Sequence, residues 1–393
     1  MNKRSMILTL ICFFLFSSFY SPLSTQAASE EKQTPNLAKD ANSAILMEQD
    51  TGTILFEKDP HEKLPLASMT KVMTLLLIME AIDQGQLTLD EQVRISENAS
   101  SMGGSQVFLE AGEEMSVEDL LKSIAIASAN DASVALAERI SGSEEAFVEA
   151  MNDKVKELGL KNTKFKNTTG LPAEDHYSTA YDMAVISREL LKYEDITAYT
   201  SIYEDYLREG TDKEFWLVNT NKLVRFYPGV DGLKTGYTSE AKYCLAATMK
   251  KEDMRVVAVV FGYDSSKTRN AEVSSMLDYA FNHYEATNLH EQGEVITELS
   301  LLKGEERKTN IVTKEKVSTI HPKGEDMDNL HTEYELFDDL SLPIKAGDQV
   351  GTLYVKNDNE ILMESPLTVE QSIEKASLFT LFKRALQKVT VFE

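Results

Sequence analysis

The chain has 393 residues, enough for two or three domains, and 42% of them are hydrophobic, so a sizeable core can be buried. Forty lysines and arginines against 64 acidic residues give a formal charge of −24, which excludes the basic footprint that nucleic-acid binding requires. Two cysteines, Cys12 and Cys244, and six histidines without ligand spacing argue against a metal site, and no cofactor is expected.

Residues 1–28 read as a secretory signal: Lys3 and Arg4, an apolar run over 7–16, then Thr25-Gln26-Ala27 as a small-residue cleavage site. The run is too short to span a bilayer comfortably, and its alternative is a retained anchor. Cleavage removes Cys12 and the two basic residues, taking the charge from −24 to −26 and leaving Cys244 without a partner for a disulfide. A polar stretch over 29–40 precedes two short strands, 43–47 and 53–56, around the hairpin signal Asp50-Thr51-Gly52.

The stretch Pro65-Leu66-Ala67-Ser68-Met69-Thr70-Lys71 comes next. From Val72 to Met79 every residue but Thr74 is apolar, so the helix that follows is expected to be buried on all sides, between the start signal Pro65 and the stop signal Gly85. Ser68 then sits at the N-terminus of this helix, and the spacing of three puts Lys71 on its face. A helix cap followed by a surface lysine would give the same pattern. Ser-x-x-Lys recurs at Ser29, Ser239, Ser300 and Ser372, and only the copy at Ser68 opens a buried helix.

Ser101-Met102-Gly103-Gly104-Ser105 reads as a loop. Ser116, with Asp119 three residues on, caps a helix whose apolar residues run to Ile126. Ser128-Ala129-Asn130-Asp131 favours a turn between that helix and the next, 132–140, and an ordinary helix junction is the simpler account of it. Helices follow at 143–158 and 181–191, with a loop at Thr168-Thr169-Gly170-Leu171-Pro172 between them. Asp231-Gly232-Leu233-Lys234-Thr235-Gly236-Tyr237 precedes strands at 243–249 and 255–261, so Lys234 is expected to begin a neighbouring strand; a helix over 274–284 closes the unit. Strands from both ends with helices between predict an α+β fold with a largely antiparallel sheet.

Four parts result: 1–28 signal, 29–284 main domain, 285–368 small β-domain and 369–393 helix. Within 291–367 short β-prone runs at 308–312, 317–320, 349–355 and 360–364 carry no visible chemistry, and a spacer or interaction role suits them. In the last segment Ile373, Ala376, Phe379, Phe382, Leu386 and Val389 recur in steps of three or four, widened by Leu378 and Leu381, with Lys375, Lys383, Arg384 and Lys388 beside them. A basic amphipathic helix of this kind suits an interfacial membrane anchor; a helix docked on the β-domain is the alternative.

Ser-x-x-Lys, Ser-x-Asn and Lys-Thr-Gly in this order form a known combination. Lys-Thr-Gly occurs once, whereas Ser96-Glu97-Asn98 is a second Ser-x-Asn. On these motifs, with Gly170-Leu171 and Tyr177-Ser178-Thr179-Ala180, the mature chain resembles the low-molecular-mass penicillin-binding proteins, the serine D-Ala-D-Ala carboxypeptidases, and within them the sporulation-associated members of Gram-positive spore formers.

That resemblance implies a β-lactamase/transpeptidase-like domain followed by a small all-β domain and a C-terminal amphipathic helix. It implies peptidoglycan peptides ending in D-Ala-D-Ala as substrate, β-lactams as inhibitors, and a place at the outer face of the cytoplasmic membrane or in the wall. Ser68 would be the nucleophile, Lys71 its base and Ser128 a proton relay. Asn130 would hold the substrate amide; Lys234 and Thr235 would hold its carboxylate, with a weaker match for Arg269. The N–H groups of Ser68 and Tyr237 would form the oxyanion hole, and Gly236 would let substrate backbone lie close to the strand. A β-lactamase on the same fold and a non-catalytic wall-binding protein are the competing readings. The first lacks a Glu-x-x-Leu-Asn run between Asn130 and Lys234, although Glu174 and Asp175 occupy a suitable loop; intact Ser68, Lys71, Ser128 and Lys234 argue against the second.

Overall fold

The computed structural model describes residues 35–358 and 360–390. The expected signal at 1–28, with Cys12, lies outside them. Strands β1 (Ser43–Glu48) and β2 (Ile54–Lys58) pair around the 50–52 turn. A 3-10 turn, Ala67–Thr70, runs directly into helix α1 (Lys71–Asp83). Next come β3 (Gln92–Arg94), α2 (Glu97–Ser100), β4 (Glu114–Ser116), α3 (Val117–Ala127), α4 (Asn130–Ser141), α5 (Glu144–Glu157), α6 (Ala180–Leu191) and α7 (Ile196–Thr200). A hairpin of β5 (Glu204–Leu207) and β6 (Phe215–Val218) and the short α8 (Leu223–Phe226) lead into β7 (Val230–Thr238), β8 (Lys242–Lys251), β9 (Met254–Tyr263) and α9 (Ser266–His283).

The main sheet has the order β2-β1-β9-β8-β7, antiparallel throughout, with β7 at an edge. Its central strands are buried on both faces, which is why they read as continuous apolar runs. Successive side chains alternate between faces. In β9, Val256, Ala258 and Val260 pack in one cluster with Val273, Met276 and Leu277 of α9, whereas Val257, Val259 and Phe261 join the larger cluster built on α1, α3, α4 and α6. Helix α1 is apolar all round because it runs through this second core: Lys71 and every residue from Val72 to Met79 are buried.

Several boundaries differ from the sequence reading. Ser68 lies in a 3-10 turn rather than in the first turn of the α-helix. Asn130, not Ala132, begins α4. Lys234 lies in the middle of β7 rather than at its start. Helix α9 starts eight residues before 274, where Ser265 accepts a hydrogen bond from Thr268 N at 3.0 Å. The strands β3 to β6 are only three or four residues long, and a pattern that short carries no readable alternation.

Beyond α9 the chain is β-rich: β10 (Tyr284–His290), β11 (Val295–Ser300), β12 (Lys308–Thr313), β13 (Val317–Pro322), β14 (Leu330–Leu336), β15 (Gln349–Asn357) and β16 (Glu360–Val369). One sheet has the order β11-β12-β16-β15-β14, and β10 pairs with β13. Ile311, Val317, Val350, Leu353, Val355 and Leu367 contribute to a separate core here.

The C-terminal helix, α10 (Leu378–Thr390), begins nine residues later than its periodicity suggests. Val369 ends β16, and the segment after it pairs with the β-rich part. Ile344 N donates to Ile373 O at 3.0 Å, Ile373 N to Ile344 O at 2.7 Å, and Ala376 N to Lys303 O at 2.9 Å. Ile373 and Ala376 are buried there and Lys375 bridges to Gly304, so these three residues do not belong to the helical face. Backbone partners distant in sequence outweigh a local period of three to four. Leu378, Phe379 and Phe382 are exposed on α10, and Arg384 Nη1 donates to Gly304 O at 2.7 Å. Among the described residues no helix is long and apolar enough to cross a membrane.

Candidate active site

The site forms where the 3-10 turn meets the edge strand β7, the α3–α4 junction and the 167–177 loop. Two glycines permit this closeness. A Cβ on Gly236 would lie 2.6 Å from Leu66 O and 3.2 Å from Met69 N, so β7 can approach the turn only with glycine there. A Cβ on Gly170 would lie 1.8 Å from Ala67 O, and its φ of +85° is a conformation that other residues rarely adopt.

Lys71 Nζ lies 3.3 Å from Ser68 Oγ, 2.6 Å from Asn130 Oδ1 and 2.7 Å from Thr169 O. The last two oxygens only accept. The Asn130 amide is oriented by its other end, where Nδ2 donates to Gly103 O at 2.6 Å. A neutral amine has two hydrogens and one lone pair, so with both hydrogens on these oxygens the lone pair is left for the Ser68 hydroxyl. Burial, then the charge of Lys234, pushes Lys71 well below the ordinary lysine range, against a smaller opposing pull from Asp131. Asp131 is held by the N–H groups of Val107 (3.0 Å), Leu109 (3.1 Å) and Ala132 (2.9 Å), which pins the 103–109 loop to the start of α4.

Ser128 caps α3 in the left-handed region, at φ 65°, and its Oγ is buried with no hydrogen-bond partner among the described residues. A buried hydroxyl with no partner is uncommon and leaves this one available to a substrate. Lys234 is fully buried; burial, then Arg269, lowers it to about 7. Thr235 Oγ1 donates to Thr220 Oγ1 at 2.8 Å. Arg269 is buried, with Nη1 donating to Cys244 O at 3.1 Å, and burial lowers it to about 10. The Tyr237 ring is exposed and packs on Tyr243 with centroids 4.4 Å apart. Ser68, Lys71, Asn130 and the 167–170 loop thus meet directly, and Lys234 lies close enough to depress Lys71. The competing Ser96 only caps the four-residue α2.

A cleft of about 580 Å³ adjoins the site, lined by residues 63–67, 170–177, Thr238 and Glu240. Its wall stops one residue short of Ser68, so it is an approach to the reacting centre. Four further residues escaped sequence reasoning. Gly103 and Thr169 act through backbone carbonyls, which no side-chain motif reveals. His176 and Thr70 lie behind the turn and are described below.

Residues 27–265 match the family described as D-alanyl-D-alanine carboxypeptidase, and residues 284–375 match that described as penicillin-binding protein 5, C-terminal domain. The chain is 53% identical over 391 residues to D-alanyl-D-alanine carboxypeptidase DacF of Bacillus subtilis, covering 100% of each. It is 31% identical to D-alanyl-D-alanine carboxypeptidase DacA of Escherichia coli (strain K12), covering 96% of this chain and 94% of the relative. Penicillin-binding protein 5 of Haemophilus influenzae has a similar structure, with a TM-score of 0.69 at 30% identity, over 87% of this chain and 99% of that one.

Proposed function

We propose, from the premise that the chain belongs to the D-alanyl-D-alanine carboxypeptidase family, a Ser68 acyl-enzyme mechanism for its serine carboxypeptidase activity. The observation that carries it is the Lys71 amine, whose two acceptor-only neighbours leave its lone pair 3.3 Å from Ser68 Oγ. Ser68 Oγ attacks the carbonyl of the penultimate D-alanine of a peptidoglycan peptide, and its proton passes to Lys71 Nζ. The N–H groups of Ser68 and Tyr237 hold the oxyanion, each such donor being worth roughly 3–4 kcal/mol of barrier. The leaving D-alanine takes a proton through Ser128, and water then hydrolyses the ester.

Asn130 holds the substrate amide, while Lys234 and Thr235 hold the terminal carboxylate. A carboxylate arriving beside buried Lys234 favours its charged form, so binding and protonation support each other. The 580 Å³ cleft is lined by Thr238, further along β7 than Lys234 and Thr235, which supports its use as room for the peptide ahead of the D-Ala-D-Ala end.

The β-lactamase reading needs a base for rapid deacylation. Among the described residues no carboxylate hydrogen-bonds to Ser68 or Lys71; Glu174 is exposed and Asp175 pairs with Lys164 at 3.1 Å. A peptide ending in D-Ala-D-Ala, assayed for released D-alanine beside a penicillin hydrolysis assay, separates the readings. Fast release with slow penicillin turnover supports the carboxypeptidase; the reverse supports the β-lactamase; neither supports a non-catalytic protein.

The same proposal retains the division into 29–284, 285–368 and a C-terminal segment, with 1–28 as an export leader. It keeps α10 as an interfacial membrane helix, motivated by exposed Leu378, Phe379 and Phe382. The site of action is then the outer face of the cytoplasmic membrane or the wall. A sporulation role rests on the sequence resemblance alone.

A further inference from the structure

His176 is buried, and nothing in the mechanism above uses it. Its Nδ1 accepts from Lys166 N at 2.9 Å, so in the neutral ring the proton is on Nε2. Nε2 lies 2.8 Å from Thr70 Oγ1, and Thr70 Oγ1 donates to Ala67 O at 2.9 Å. Each link leaves one direction open to the next, so the chain runs from His176 Nε2–H to the Thr70 hydroxyl to the Ala67 carbonyl. Burial, then the charge of Lys166, lowers His176 to about 4, so the ring is neutral across the working range of the site.

Ala67 is held at φ 49°, a strained conformation for alanine, and the same carbonyl sits where a Cβ on residue 170 would be, so only glycine leaves room for it. In a planar trans peptide the C=O of one residue and the N–H of the next point in opposite directions. Fixing Ala67 O therefore fixes the direction of the Ser68 N–H.

We propose that His176 is a positioning residue for the oxyanion hole: acting through Thr70, it sets the plane of the Ala67–Ser68 peptide and aims the Ser68 N–H at the developing oxyanion. The inference rests on the reading of Ser68 as nucleophile and oxyanion donor.

The test compares His176→Phe, His176→Gln and Thr70→Val in the intact mature protein, with rates expressed per site labelled by penicillin. Two inhibitors separate aiming from general distortion. A D-alanine boronic acid forms a tetrahedral adduct on Ser68 and places an oxygen in the hole. A dipeptide with a methylene in place of the scissile carbonyl makes the carboxylate contacts without it. His176→Phe is expected to lose about tenfold in kcat and in boronate affinity, a fraction of what removing a donor outright causes. Affinity for the methylene dipeptide should stay within about twofold, and the pH at each limb of the rate profile should not move. Glutamine, whose amide N–H reaches a similar position, should restore most of the loss. Thr70→Val should match His176→Phe, and the double variant should be no worse than Thr70→Val.

Equal losses with both inhibitors, or unchanged kcat in both single variants, would overturn the assignment. Should His176→Phe fail to fold, the near-isosteric Thr70→Val gives the same reading. Failure of the underlying mechanism shows separately, as an absence of boronate adduct on Ser68 in the unaltered protein.

Discussion

Gly170→Ala concentrates the geometric claim in one methyl group. The added Cβ would start 1.8 Å from Ala67 O, 2.3 Å from Ala67 C and 2.9 Å from Ser68 N. Real Cβ atoms essentially never come within 3.0 Å of such a neighbour, so going from 1.8 to 3.0 Å requires a shift of about 1.2 Å. If the turn yields, the Ser68 N–H leaves its line; if the 167–177 loop yields, Thr169 O withdraws from Lys71. A misplacement of about 1 Å in a reacting constellation costs about 100-fold, or about 2.7 kcal/mol of barrier. The positive φ adds about 1–2 kcal/mol of instability to any alanine there. Gly159→Ala is the control: its φ is +69°, so it carries the same backbone strain, but its Cβ would meet nothing within 4 Å. Gly170→Ala should lose about 1–3 kcal/mol more stability than Gly159→Ala in thermal unfolding, because only it adds a clash to the shared backbone strain, and only Gly170→Ala should lose acylation rate per site in stopped-flow labelling by fluorescent penicillin. Acylation by Gly170→Ala within threefold of the parent would refute the close packing of loop and turn.

Lys71→Arg puts a permanent charge where a neutral amine is needed and cannot release a proton in this range, so acylation should fall by about 10²–10⁴ and the acid limb of the rate profile should vanish; near-native acylation excludes Lys71 as base. Lys234 must be charged to hold the carboxylate and is lowered to about 7, so kcat/KM should decline as pH rises through that value in the free protein. Lys234→Arg should carry this alkaline limb upward by more than about one unit, and an unmoved limb assigns it to another group. Stopping the chain after Ser377, which spares the buried Ile373 and Ala376, should release folded, penicillin-binding protein from anionic vesicles in a flotation assay. Equal flotation of truncated and full mature chains places the anchor elsewhere.

The parts of this molecule legible in sequence are those with a local cause. An unbroken apolar run from Val72 to Met79 marks a helix buried on all sides, and a lysine at its start then needs a chemical reason to be there. That inference survives the finding that Ser68 sits in a 3-10 turn, because a spacing of three brings side chains together in either helix type. The central strands were legible for a similar reason, since β8 and β9 are apolar on both faces. Illegible were features whose cause is distant in sequence. Asp131 organises the 103–109 loop by gathering backbone N–H groups, and Thr169 and Gly103 contribute only carbonyls. The start of α10 is not legible from periodicity, because Ile373 falls in the steps of three that lead to Phe379 yet pairs with Ile344 across a gap of 29 residues. Gly236 also packs against the Leu66 carbonyl, a neighbour that the Lys-Thr-Gly motif does not reveal.

The central claim, a covalent intermediate on Ser68, is tested most directly by mass spectrometry of the protein quenched in acid during reaction with benzylpenicillin. The account predicts one added penicilloyl mass, located by fragmentation on the peptide that contains Ser68, and no added mass on folded Ser68→Ala. An adduct on any other residue, or a Ser68→Ala variant that still gains the mass, would contradict it.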